Sequence, residues 1–180
     1  MNNLKSIQKT FALFEILIKI AKIICIIIAS ICVSGALCAV VWYNGGKAFS
    51  ILGEDIIFSD YTSFCRKYVE LLSSAATLIS DSILLAFAQR YLKTELAEGT
   101  PFTENGALEL KKLGIRCIYI PVAAAAVMSA VAAFLEVEST GYINNLPAVA
   151  TGVVLTMISV IFRYGAQLEK ENRKMRCTKE

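Results

Sequence analysis

Between Ile23 and Tyr43 the chain carries no charged residue. As a helix, at about 1.5 Å per residue, that run reaches roughly 31 Å, the thickness of a bilayer's hydrocarbon. Backbone without water to bond must satisfy itself, so the run predicts a membrane-spanning helix. Trp42 and Tyr43 close it as an interfacial aromatic belt would. Further apolar stretches near 69–89, 115–135 and 147–164 repeat the pattern. A composition that is 56% hydrophobic and only 18% charged is too apolar for a soluble domain of this length. The expected fold class is therefore all-α, an integral membrane four-helix bundle, with one membrane domain over residues 1–180. Lysines ahead of an apolar run also fit a secretory leader. This run is longer than a leader's core, and Leu37 before Cys38 does not suit lipoprotein processing, so it reads as an uncleaved anchor.

Before the first span, residues 1–22 place Lys5, Lys9, Glu15, Lys19 and Lys22 on one side of a helical wheel and Leu4, Ile7, Phe14, Leu17 and Ile18 on the other. That is an amphipathic N-terminal helix, with Glu15 and Lys19 at a favourable i, i+4 spacing. It either lies at the membrane surface or extends the first span. The connector 44–68 mixes acids and bases with Phe58, Tyr61, Phe64 and Tyr68, a composition suited to lying along the headgroups.

The second span is the least hydrophobic, because Glu70, Ser73, Thr77, Ser80 and Asp81 recur at three- and four-residue steps. Such a stripe is expected to turn into the bundle, where Asp81 stays protonated or finds a partner, through a structural hydrogen bond or a pair with Arg163 or Arg116 near the inner ends of neighbouring helices. The third span repeats small residues at Ala125, Ser129 and Ala133 and at Ala126 and Ala130, which predicts the central packing helix. Pro121 near its start is a candidate kink. Ala148, Gly152 and Thr156 form a further small stripe on the fourth.

Lysine and arginine concentrate in residues 1–22, in the 90–116 connector and in the tail after Gln167, while the other two connectors hold only Lys47, Arg66 and Lys67. By the positive-inside rule both termini are cytoplasmic, and residues 90–116 form a cytoplasmic helical hairpin between spans 2 and 3. Gly99 and Pro101 stop its first arm, and Thr103 or Asn105 caps its second.

The same residues exclude several chemistries. There is no histidine, so the commonest metal ligand and near-neutral base are missing. Six cysteines form no CxxC pair and read as small hydrophobes rather than a redox couple. Gly99, Gly106 and Gly114 lack the spacing and the Gly-Lys-Ser/Thr of a phosphate loop. Ser73, Thr77 and Ser80 have no base beside them and serve as interhelical glue. Cys177 is not followed by the aliphatic pair of a prenylation signal. No catalytic group, cofactor or metal is expected. The basic segments suit anionic lipid and also serve as ordinary topogenic charge.

Gly99-x-Pro101-Phe102-x-x-Asn105, then Leu110-Lys111-Lys112-Leu113-Gly114, and Phe162-Arg163-Tyr164-Gly165-Ala166-Gln167-Leu168-Glu169 resemble the bacterial membrane family known as domain of unknown function 2975. The likeness covers most of the chain in layout, and its specific residues lie in those two segments. The basic residues 172–179 depart from the short apolar ending of that family. The resemblance implies a four-helix protein of the bacterial inner membrane with no established activity, and a small helix-turn-helix regulator as a cytoplasmic partner.

Two functions remain in view. One is a non-enzymatic regulatory or interaction protein whose partner is that regulator or another membrane protein, without direct contact to nucleic acid. Its candidate surface is the turn with Gly99, Pro101, Phe102, Asn105 and Gly114, where Phe102 tucks under the bundle near Gly165 or meets a partner. The other is a small transporter or channel-like homo-oligomer built on Glu70, Ser73, Thr77, Asp81 and Arg163.

Overall fold

A computed structural model describes residues 2–43, 49–51, 54–56, 61–98, 103–137 and 146–177. Four helices hold most of them: α1 (Asn2–Tyr43), α2 (Tyr61–Glu98), α3 (Glu104–Phe134) and α4 (Leu146–Cys177). Each contains a segment long and apolar enough to cross a membrane, at Ala12–Val41, Tyr61–Leu96, Glu104–Phe134 and Leu146–Leu168. The chain is therefore a multi-pass membrane protein in class.

Residues 1–22 extend the first span, one of the two arrangements expected of them, since α1 runs unbroken from Asn2 to Tyr43. The connector after it is shorter than residues 44–68, because α2 already begins at Tyr61. Its first turns are anchored by buried Cys65 and Val69 and by Phe64 stacked on Tyr68, ring centroids 6.0 Å apart. Two three-residue strands, β1 (Phe49–Ile51) and β2 (Glu54–Ile56), also pair antiparallel in the register Phe49↔Ile56, Ser50↔Asp55, Ile51↔Glu54. Strands this short give no alternation to read in a sequence.

The chain divides into two compact units. In the first, comprising residues 1–22, 83–120 and 146–180, α3 and α4 touch backbone to backbone at two glycines. A Cβ on Gly114 would stand 2.8 Å from the Gly152 carbonyl and 2.5 Å from Thr156 Oγ1, and a Cβ on Gly152 would stand 2.7 Å from the Gly114 carbonyl. Absent side chains let two helices approach this closely. Longer side chains tie other pairs together. Arg116 lies 3.6 Å over the Phe87 ring. Lys22 donates to Gln89 at 3.2 Å, Lys93 lies 3.7 Å from Glu15, and Lys170 lies 3.3 Å from Glu104.

The second unit comprises residues 23–82 and 121–145. Its core is made by a line of small residues on α1, Ala29, Cys32, Ala36 and Ala39, with Cys65, Val69 and Ala75 of α2 and Met128 and Ala132 of α3. The small-residue packing helix is thus α1. On α3 the expected stripe looks outward, with Ala126, Ser129, Ala130 and Ala133 exposed and Ala125 half-buried. Helix α3 continues through Pro121 and ends at Phe134, two residues beyond Ala132. Glu136 there adopts φ 54°, while Glu136 and Val137 donate to the carbonyls of Ala133 and Ala132 at 3.2 and 3.0 Å. This paired arrangement satisfies carbonyls that the helix end would leave open.

Candidate functional site

Helix α2 carries the polar groups singled out in the sequence, and it sorts them onto two lines. Ser73 and Ser80 are buried on the same side of the helix as Val69. Glu70, Ser74 and Asp81 are exposed, with Thr77 half-buried at the edge of their line. At roughly 100° per residue the three exposed groups lie within about 40° of one another. The expected inward stripe is therefore halved. Its two carboxylates face away from the chain's own core, and its hydroxyls are divided.

Asp81 is the only charged residue between Leu71 and Gln89. Helical rise puts it roughly 15 Å from the first and roughly 12 Å from the second, near the middle of an apolar crossing segment. Among the described residues it has neither a hydrogen bond nor an ion pair. Of the arginines expected near it, Arg116 stacks on Phe87 and Arg163 is exposed on α4. Glu70 differs, because Lys67 lies 3.1 Å from its carboxylate.

The hydroxyls of this segment all spend their protons on their own helix. Ser73 and Ser74 donate to the Glu70 carbonyl, both at 2.9 Å. Thr77 donates to the Ser73 carbonyl at 3.0 Å and Ser80 to that of Ala76 at 2.8 Å. Ser82 does the same toward Ile79. What the hydroxyls of the exposed line, Ser74 and Thr77, offer outward is thus acceptors alone, beside the carboxyl of Asp81. Round the side of α2, Ile79 and Ser82 join Ser30, Val33, Ser34 and Leu37 of α1 in an apolar groove of about 340 Å³.

A second polar centre, not singled out in the sequence, lies near the far end of α2. Glu95 is only 4% exposed, by far the most enclosed acid among the described residues. Its carboxyl occupies the place where a side chain on Gly106 would project, next to the Thr103 hydroxyl, and Tyr91 sits against it one turn earlier. Thr103 caps α3, accepting from the Gly106 amide at 3.0 Å while its carbonyl accepts from Ala107 at 3.0 Å. An acid held over the positive end of a helix is favourably placed. Glu95 therefore closes α2 onto the start of α3. The available signal was its position: it falls three residues after buried Leu92, on the apolar side of the helix.

Of the turn motif, Gly99, Pro101 and Phe102 lie outside the described residues. Asn105 is exposed in the first turn of α3, and Gly114 is buried in the contact with Gly152. Cys32, Cys65 and Cys117 are buried, whereas Cys38 is exposed. No three Cys, Asp or Glu side chains converge as metal ligands among the described residues. Comparison with protein families, with curated proteins and with solved structures returns no match.

Proposed function

We propose that this chain is a non-enzymatic interaction protein of the bacterial inner membrane, with both termini in the cytoplasm and a regulatory role exercised through a partner. The observation that carries the reading is the exposed line Glu70–Ser74–Asp81. A carboxyl presented to hydrocarbon is costly, and interhelical polar contacts are how membrane helices recognise one another. Support for the orientation comes from the lysines and arginines gathered before Ile23, between Arg90 and Arg116 and after Gln167. The resemblance to the bacterial family with domain of unknown function 2975 supports the compartment and adds a helix-turn-helix regulator as a cytoplasmic partner.

The same line favours a second reading, a channel-like homo-oligomer, because Asp81 on the outside of one copy would enter a polar path only where several copies face each other. Isolation from native membranes in lipid particles separates the two. A stoichiometric second protein is the expected result. A homo-oligomer alone, with ion flux in vesicles that Asp81→Asn abolishes, would replace the first reading by the second. A reporter fused after Glu138 is expected outside the cytoplasm, and cytoplasmic exposure would overturn the topology.

A further inference from the structure

We propose that the exposed face of α2 bearing Ser74, Thr77 and Asp81 is the docking surface for a transmembrane helix of another protein that carries a lysine or arginine at the depth of Asp81. This rests on the interaction reading and names the chemistry of the partner.

Three observations select that occupant. Asp81 stands near the middle of the apolar stretch of α2 and is exposed, with no hydrogen bond or ion pair among the described residues. The hydroxyls on the same face have given their protons to backbone carbonyls one turn back, so they present acceptors only. Nearer the Tyr61 end, Glu70 is already matched by Lys67 at 3.1 Å. The unmet demand of the surface is therefore a donor with positive charge, placed at Asp81 and nowhere else along the line.

This chain does not supply that donor. No lysine or arginine occurs in Ile23–Tyr43, Leu71–Gln89, Cys117–Leu135 or Pro147–Phe162. A second copy fits poorly for the same reason. Copies that share one topology present like residues at like depth, so acceptors would meet acceptors and Asp81 would meet Asp81. A like-charge contact in a medium of low dielectric is unfavourable. Lipid chains offer no donor at all. A basic group on a foreign helix satisfies the carboxyl and hides its own charge in the same contact.

The test uses the full chain in phosphatidylethanolamine–phosphatidylglycerol vesicles and labelled synthetic helices of leucine and alanine that differ only at their central residue. Energy transfer from the protein reads association. The expected result is that the helix with a central lysine binds about tenfold more tightly than the one with a central leucine. Asp81→Asn removes that preference and Asp81→Glu restores it, and Ser74→Leu, which blocks the face but keeps the acid, weakens binding of the lysine helix. Equal binding of the two helices, or an undiminished preference in Asp81→Asn, overturns the proposal. So does a homo-oligomer that the lysine helix does not displace, which would give the face to a second copy. If the lysine helix shows no preference while a native partner still co-isolates with Asp81→Asn, this inference fails and the interaction reading stands. If the preference holds and no native partner co-isolates, the face has the proposed chemistry but the interaction reading fails, and the assignment of another protein to the face falls with it.

Discussion

Two acids on one helix have opposite surroundings. Asp81 lies in the uncharged stretch of α2 and is exposed without a partner among the described residues. Glu95 lies where charges are common, between Lys93 and Glu98 in sequence, and is almost wholly enclosed against Gly106 and the capped start of α3. Desolvation is spent inside the fold at one site and deferred at the other until something covers it. Glu95 is accordingly a structural acid that closes α2 onto the start of α3, and Asp81 is the acid we propose to act outside the chain. Burial, rather than membrane depth, separates the two roles.

Four substitutions can break that contrast, and they are ordered here by expected loss of stability, read as unfolding in mild detergent. Gly114→Val drives a side chain into the Gly152 carbonyl and Thr156, atoms that cannot swing away, so about 3 kcal/mol should be lost. Glu95→Gln should cost about 2 kcal/mol, because the enclosed site at the helix start is shaped around a carboxyl and an amide brings two extra donors into it. An unchanged midpoint there would remove Glu95 from the structural role. Gly106→Ala should cost about 1 kcal/mol, since its methyl group meets the movable end of Glu95 rather than backbone. The two changes share one seat, so their effects should be clearly less than additive in the double variant, and full additivity would place the carboxyl elsewhere. Asp81→Leu should leave the isolated chain within about 0.5 kcal/mol of the wild type. A large loss in that last variant would mean that Asp81 holds the fold, and the distinction between the two acids would collapse.

The spans were legible because hydropathy over a crossing length depends on the solvent, and no knowledge of neighbours is required. Other features turned on neighbours. Sequence spacing grouped Glu70, Ser73, Thr77 and Asp81 as one stripe, since all fall in one sector of a helical wheel. Yet Ser73 is buried and Asp81 is exposed, because the edge of a packing contact runs through that sector. Small-residue stripes were equally ambiguous: α1 and α3 both carry one, and only α1 buries it, through Ala29, Cys32, Ala36 and Ala39. Glu95 was missed because an acid close in sequence to Arg90 and Lys93 reads as solvated even though it falls on the apolar side with Leu92, and nothing local reveals that Gly106 leaves room for it.

The amino-acid sequence by itself determined that the chain is helical, that four segments can cross a bilayer, and that an acid sits in the uncharged stretch of the second. These follow from the cost of placing unbonded backbone and charge in hydrocarbon. Tertiary structure alone decided which side of each helix is covered, that α3 meets α4 at Gly114 and Gly152, and that Glu95 is enclosed while Asp81 is not. Those outcomes depend on how closely particular backbones approach, which is set by the shapes of residues far apart in the chain.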